Sequence, residues 1–128
     1  MILGNDFLTT IASIRALKKY LQSKFKSIHF RIQTRLDERL WNQDHHTHLM
    51  ISSLSSLASS IAGVSTIWCS GARFLTLNAD PSKIRNLLHV QHILKNESFL
   101  NRVIDPGAGS YYFEDLTEKI FLKLYELY

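Results

Sequence analysis

Between Asn5 and Phe25, apolar residues recur every three or four positions, at Phe7, Leu8, Ile11, Ile14, Leu17 and Leu21. That spacing places them on one face of an α-helix, with Arg15, Lys18, Lys19 and Lys24 mostly off it. Asn5 or Asp6 is suited to cap it, because a short side-chain oxygen accepts an otherwise unpaired N–H of the first turn. The period then shortens. From Ser27 to Gln33, Ile28, Phe30 and Ile32 alternate with His29, Arg31 and Gln33, which predicts a strand. A polar, irregular stretch runs from Thr34 to Asp44.

A second helix is predicted from about Asp44, with Leu49, Met50, Leu54, Leu57, Ala58 and Ile61 on its buried side. Gly63 ends it, since glycine tolerates the left-handed conformation that closes a helix. The helix is rich in serine and alanine, which permits close approach to a sheet. Val64 to Cys69 reads as a short buried strand. Asp80 and Pro81 form the next helix start, with proline in the first turn, where its missing N–H costs nothing. Ile84, Leu87, Leu88, Ile93 and Leu94 carry that helix to about Ser98. A brief strand over Arg102 to Ile104, a turn over Asp105 to Ser110 and a last helix from about Glu114 to Leu127 complete the chain.

Strands alternating with helices imply parallel strands joined by crossovers, an α/β fold. Three strands make a thin sheet for four helices, so the segment reads as part of something larger. Residues 1–128 show no internal repeat, low-complexity run or flexible linker.

The 128 residues suffice for one domain with a real core, and 45% apolar content argues against disorder. A formal charge of +4 is mild, and no run of five or six cations demands nucleic acid. The single cysteine, Cys69, rules out an internal disulfide and fits a reducing compartment. No apolar stretch matches a membrane span, and the first residues lack the order of a signal peptide. An intracellular, cytoplasmic and soluble protein is the expectation, with no membrane partner.

Four groups of residues invite chemical readings. His45, His46 and His48 cluster at the start of the second helix, and His89 and His92 lie one turn apart on the third. Imidazoles so spaced can ligate zinc, but no Cys pair or Glu-rich motif completes a ligand set, so surface or packed histidines are expected. The run Asp105-Pro106-Gly107-Ala108-Gly109-Ser110 permits close backbone approach to a phosphate. Without a lysine-bearing phosphate loop or a full GxGxxG, a structural turn is the better reading. Cys69 follows an apolar strand without an adjacent base, which fits a small buried hydrophobe. The basic face of the first helix, with Arg15, Lys18 and Lys19, is either solvated or a seat for a phosphate or an acidic partner.

Residues 101–118, from Asn101-Arg102-Val103-Ile104-Asp105-Pro106 through Gly109-Ser110-Tyr111-Tyr112 to Glu114, Leu116 and Thr117, resemble a long motif, R-V-x-D-P-x-x-G-S-Y-Y-x-E-x-L-T. It belongs to the adenosylcobalamin-dependent methylmalonyl-CoA mutase family. Gln91 and Glu97-Ser98 keep the family's Q-x(5)-E-S spacing, and Arg85 fits an arginine earlier on that helix. Asn5-Asp6-Phe7, Ile11-Ala12 and Arg15-Ala16 are similar to its N-D-x-F-x-x-I-A-x-x-R-A helix, with a one-residue difference. Gln33-Thr34 and Gln43-Asp44 are similar to its Q-T-S-G and Q-D elements.

The resemblance implies a partial (β/α)8 TIM barrel, its later βα units with parallel strands, through which a CoA ester threads. Residues 1–128 would be a single segment, the C-terminal portion of the substrate-binding barrel, without a cobalamin-binding domain. Adenosylcobalamin would be bound in the assembled enzyme and not by this segment. The family's G-Y-H histidine segment and D-x-H-x-x-G motif have no counterpart here, so no catalytic residue is carried over. Substrate binding carries over only to Gln33 and Thr34, and no metal ligand is implied.

Three strand ends that face ligand in the family are altered. Thr34-Arg35-Leu36-Asp37-Glu38 stands for T-S-G-W-S, His45-His46 follows Gln43-Asp44 where the family has P-Y, and Ser65 to Ser70 replaces the S-L-H-T-N strand end. Retained packing with altered ligand residues resembles the non-catalytic small chain of two-chain mutases. The implied partners are the remaining barrel and the catalytic mutase chain in an oligomer. The implied role is structural and interface-forming, within an isomerase that interconverts methylmalonyl-CoA and succinyl-CoA. A stand-alone α/β scaffold of the same ancestry is the alternative, and a zinc enzyme built on the histidines is a third reading.

Overall fold

The computed structural model describes residues 2–3, 6–36, 44–68 and 81–127. Its elements are β1 (Ile2–Leu3), α1 (Phe7–Lys24), β2 (Gln33–Leu36), α2 (His45–Ile61), β3 (Thr66–Trp68), α3 (Pro81–Asn96) and α4 (Tyr111–Leu127). The strands form one sheet in the order β1-β2-β3, and both pairings are parallel. Each strand therefore lies beside the next in sequence, with a helix between them, which is the arrangement of successive βα units. The α/β class follows from this.

Local chemistry sets the helix ends. Asp6 caps α1, its carboxylate accepting from the Leu8 N–H at 3.2 Å and from the Thr9 hydroxyl. Asp44 caps α2 in the same manner, accepting from the Thr47 N–H at 2.8 Å and the Thr47 hydroxyl at 2.6 Å. At the other end of α2, Gly63 takes φ +68°. Its N–H donates to the Ser60 carbonyl at 3.0 Å and that of Val64 to Ser59 at 3.2 Å, a paired closure that needs a left-handed residue. Lys18 Nζ donates to the Gly63 carbonyl at 3.0 Å, fastening α1 to this corner.

The core lies between α1 and α2, on Ile11, Ile14, Ala58 and Ala62, with Phe7, Ile61, Val64 and Phe113 packed against it. α1 packs on both α2 and α4, α2 also packs on α3, and α2 covers β2 and β3.

The structure departs from the expectations at four places. The strand expected over Ser27 to Gln33 starts only at Gln33 and runs to Leu36, and of the alternating apolar residues only Ile32 is buried while Ile28 and Phe30 stay exposed. Residues Arg102 to Ile104 form a turn and bend instead of a strand. A strand ahead of α1, Ile2–Leu3, went unpredicted because two residues are too few to show a period. The face of α2 also differs. His48, Ser52, Ser56, Ser59, Ala58 and Ala62 are buried, whereas Met50 and Leu54 are 61% and 56% exposed.

Serine can hold the buried side because its hydroxyl finds a partner in the helix or, for Ser59, on β2. Ser56 donates to the Ser52 carbonyl at 2.6 Å and Ser60 to that of Ser56 at 2.9 Å. Small side chains with no outstanding polar demand let the helix approach the sheet closely.

Candidate functional site: the open face of the sheet

Side chains alternate across a strand, so register decides which residues share a face. Gln33 pairs with Thr66, Thr34 with Ile67 and Arg35 with Trp68. Ile32 and Thr34 are buried on the side of α2, and the Thr34 hydroxyl donates to Ser59 Oγ at 3.0 Å. Gln33, Arg35, Thr66 and Trp68 lie on the other face and are exposed. An amide, a guanidinium, a hydroxyl and an indole thus stand on two adjacent strands, a set that can hydrogen-bond a polar ligand and lie against a flat or apolar one.

The two residues singled out for substrate are therefore on opposite sides of β2. Gln33 sits on the open face, and Thr34 is engaged with the helix behind it. Thr66 and Trp68 join Gln33 there. Their signal in the sequence is indirect, since it depends on the pairing of two short strands.

The Asp105–Ser110 segment is a tight turn. The Gly107 N–H donates to Asp105 Oδ1 at 3.1 Å, that of Ala108 to the Asp105 carbonyl at 3.2 Å, and Gly109 takes φ +80°. Arg15 reaches into it from α1, with Nη1 3.1 Å from Asp105 Oδ1 and Nη2 2.6 Å from Glu114 Oε1. A Cβ on Gly107 would lie 2.9 Å from Arg15 Nη1. The glycine therefore makes room for the guanidinium. The basic face of α1 is likewise engaged in packing: Lys18 holds Gly63, and Lys19 pairs with Glu118 on α4.

The histidines are dispersed. His48 is buried in α2, its Nε2 3.5 Å from Ser52 Oγ, whereas His46, His89 and His92 are exposed. Among the described residues no three His, Cys, Asp or Glu side chains are grouped so as to hold a metal ion. Cys69, Asp80 and Gln43 lie outside the described residues, and so does the side chain of His45. Asp44 is held below the ordinary carboxylate range, first by the Thr47 hydroxyl and then by the Thr47 N–H. No described helix is long and apolar enough to cross a membrane.

A cleft of about 430 Å³ opens beside β3, with Thr66, Ile67, Gln91, Leu94, Asn101 and Val103 on its walls. Gln91 of the Q-x(5)-E-S spacing is thereby brought near the segment that carries Asn101.

The sequence profile of the methylmalonyl-CoA mutase family matches residues 2–128. The chain belongs to the methylmalonyl-CoA mutase family. It is 27% identical over 136 residues to the methylmalonyl-CoA mutase small subunit of Porphyromonas gingivalis, covering 98% of this chain and 22% of that protein. It is 30% identical over 129 residues to the methylmalonyl-CoA mutase of Escherichia coli, covering 92% of this chain and 18% of the relative. The 2-hydroxyisobutanoyl-CoA mutase large subunit of Aquincola tertiaricarbonis is 26% identical over 133 residues, with 95% and 24% covered. The chain spans 18–24% of the length of these curated relatives. In this chain the Arg15–Asp105–Glu114 link joins two of the segments that carry the resemblance, the N-D-x-F helix and the D-P-x-x-G-S-Y-Y turn.

Proposed function

We propose that this chain is a structural, interface-forming segment of an acyl-CoA mutase that interconverts methylmalonyl-CoA and succinyl-CoA. Its βα units form the later part of a (β/α)8 substrate barrel, and it pairs with the remaining barrel and a catalytic mutase chain in the cytoplasm. The observation that carries this reading is the match over residues 2–128 together with three parallel strands laid down in chain order. Gln33, from the open face, is the side chain proposed to reach the CoA ester. Thr34 supports it from behind, bonded to Ser59.

Adenosylcobalamin supplies radical chemistry to such an isomerase when bound. The described residues do not fit it. The buried histidine, His48, is turned to Ser52 within α2, and neither described cleft, of about 430 and 320 Å³, has room for a corrin. The cofactor is therefore assigned to another part of the assembly.

The mutase assembly containing this chain, compared with one lacking residues 1–128, tests the reading. Conversion of methylmalonyl-CoA to succinyl-CoA is expected to fall with the deletion; unchanged turnover overturns the proposal. One observation favours the second reading, a non-catalytic scaffold: Arg35 stands where the family pattern has a small residue, and its register partner is the bulky Trp68. A chain that forms its own dimer and takes neither a CoA ester nor a mutase chain would establish it.

A further inference from the structure

A separate cleft of about 320 Å³ lies where the end of α1 and the following segment lead into β2. Lys18, Gln22, Phe25, Lys26, His29 and Phe30 line it, and among the described residues no carboxylate does. Residues 7–36 contain seven Lys and Arg and no Asp or Glu. Of the α4 carboxylates, Glu114 is engaged with Arg15 and Glu118 with Lys19, one or more turns earlier, while Glu126 lies at the end of α4. Basic side chains therefore predominate in the described lining, against the negative end of the α1 dipole.

The cleft also carries an aromatic wall. Phe25 and Phe30 meet with ring centroids 5.7 Å apart and planes at 60°, and both remain partly exposed at 48% and 37%. The chain thus spends two aromatic side chains on a cleft and not on the core. An exposed ring face takes a planar heterocycle by stacking. Lys18 is preordered, since its Nζ donates to the Gly63 carbonyl at 3.0 Å and an ammonium carries two further donors. Gln22 adds an amide suited to a ring edge.

We propose that this cleft binds a nucleoside phosphate, its base against Phe25 and Phe30 and its phosphate towards Lys18, Lys26 and His29. The volume is at the lower end for a ligand pocket and suits a single nucleotide. None of these residues belongs to the Gln33–Thr66 face, so the assignment stands apart from the mutase reading.

Calorimetric titration of the full chain with ADP, adenosine and inorganic phosphate tests it. Saturable ADP binding is expected, weaker for either fragment and weakened by salt. F30A is expected to lose affinity about tenfold, K26A severalfold, and F30Y, which keeps the ring, to bind as wild type. K123A, on α4, serves as the control with unchanged binding, and circular dichroism verifies each variant's fold. Absence of saturable ADP binding, equal affinity for phosphate alone, binding of oligonucleotides but not ADP, or wild-type affinity in both F30A and K26A overturns the assignment.

Discussion

Arg15 has a side chain only 13% exposed, and both ends of its guanidinium are occupied by carboxylates from the turn and from α4. R15A is expected to cost about 1–2 kcal/mol, read from the urea midpoint, because Asp105 and Glu114 lose a charged donor but remain accessible to water. G107A should cost a similar amount for a linked reason. Its Cβ would stand 2.9 Å from Arg15 Nη1 and 3.4 Å from Phe113 Cδ2, forcing the guanidinium off its partners. In an R15A background most of that penalty should vanish, so the double mutant is expected to be clearly less destabilised than the sum. Strict additivity would show that the two residues act separately. Asp44 gives a prediction in pH. Its carboxyl is lowered by the Thr47 hydroxyl and N–H, so the cap stabilises the folded chain above the ordinary aspartate value. That contribution is lost as pH falls through the lowered value. The difference in Tm between wild type and D44A should therefore be constant from pH 7 to 5 and close in acid, while D44N, a neutral cap, should show no such dependence.

α2 shows at the scale of an element what the sequence revealed and what it hid. Its limits were legible, since Asp44 and Gly63 are local devices whose geometry needs only their neighbours. Its buried face was legible only in part, at Ala58 and Ile61. Leu49, Met50, Leu54 and Leu57 carry the larger apolar signal, yet the sheet takes the serine side because small residues allow closer approach. Hydropathy ranks side chains by transfer, and here packing distance and internally satisfied hydroxyls decide. S56L is accordingly expected to cost about 2–3 kcal/mol by overpacking, and L54S less than about 0.5. The reverse ranking of urea midpoints would mean that the leucine face is the buried one. The same limit explains the site. Gln33 was read correctly as a strand residue, but which neighbours share its face follows from the pairing of β2 with β3, a contact between segments about thirty residues apart. At Arg102 to Ile104, β-branched residues suggested a strand, and the structure shows a bend with both Val103 and Ile104 exposed. Propensity marks a readiness to pair, and pairing itself needs an edge in position.

At the scale of the whole molecule, several large apolar side chains among the described residues are left open. Met50, Leu54, Leu88, Ile93, Val103 and Ile104 are all exposed. Among the described residues, the parallel sheet is covered by α2 on one face, and β1 and β3 form its two edges. Parallel sheets are ordinarily covered on both faces, and unpaired edges invite further strands. Burial of apolar area contributes about 25 cal/mol per Å², so several such side chains together favour association by more than the scatter of ordinary surface residues. The purified chain is therefore expected to sediment with a weight-average coefficient that rises with concentration. If the proposed function holds, addition of the proposed remaining barrel and catalytic chain replaces that self-association by a complex of fixed stoichiometry, and binding of an apolar dye falls with it. The direction of the dye signal separates a specific closure of the sheet from loose aggregation, which would leave dye binding unchanged or higher. A sharp melt by near-ultraviolet circular dichroism in a concentration-independent monomer would instead mean that the four helices suffice, and would move the assignment from barrel segment to scaffold.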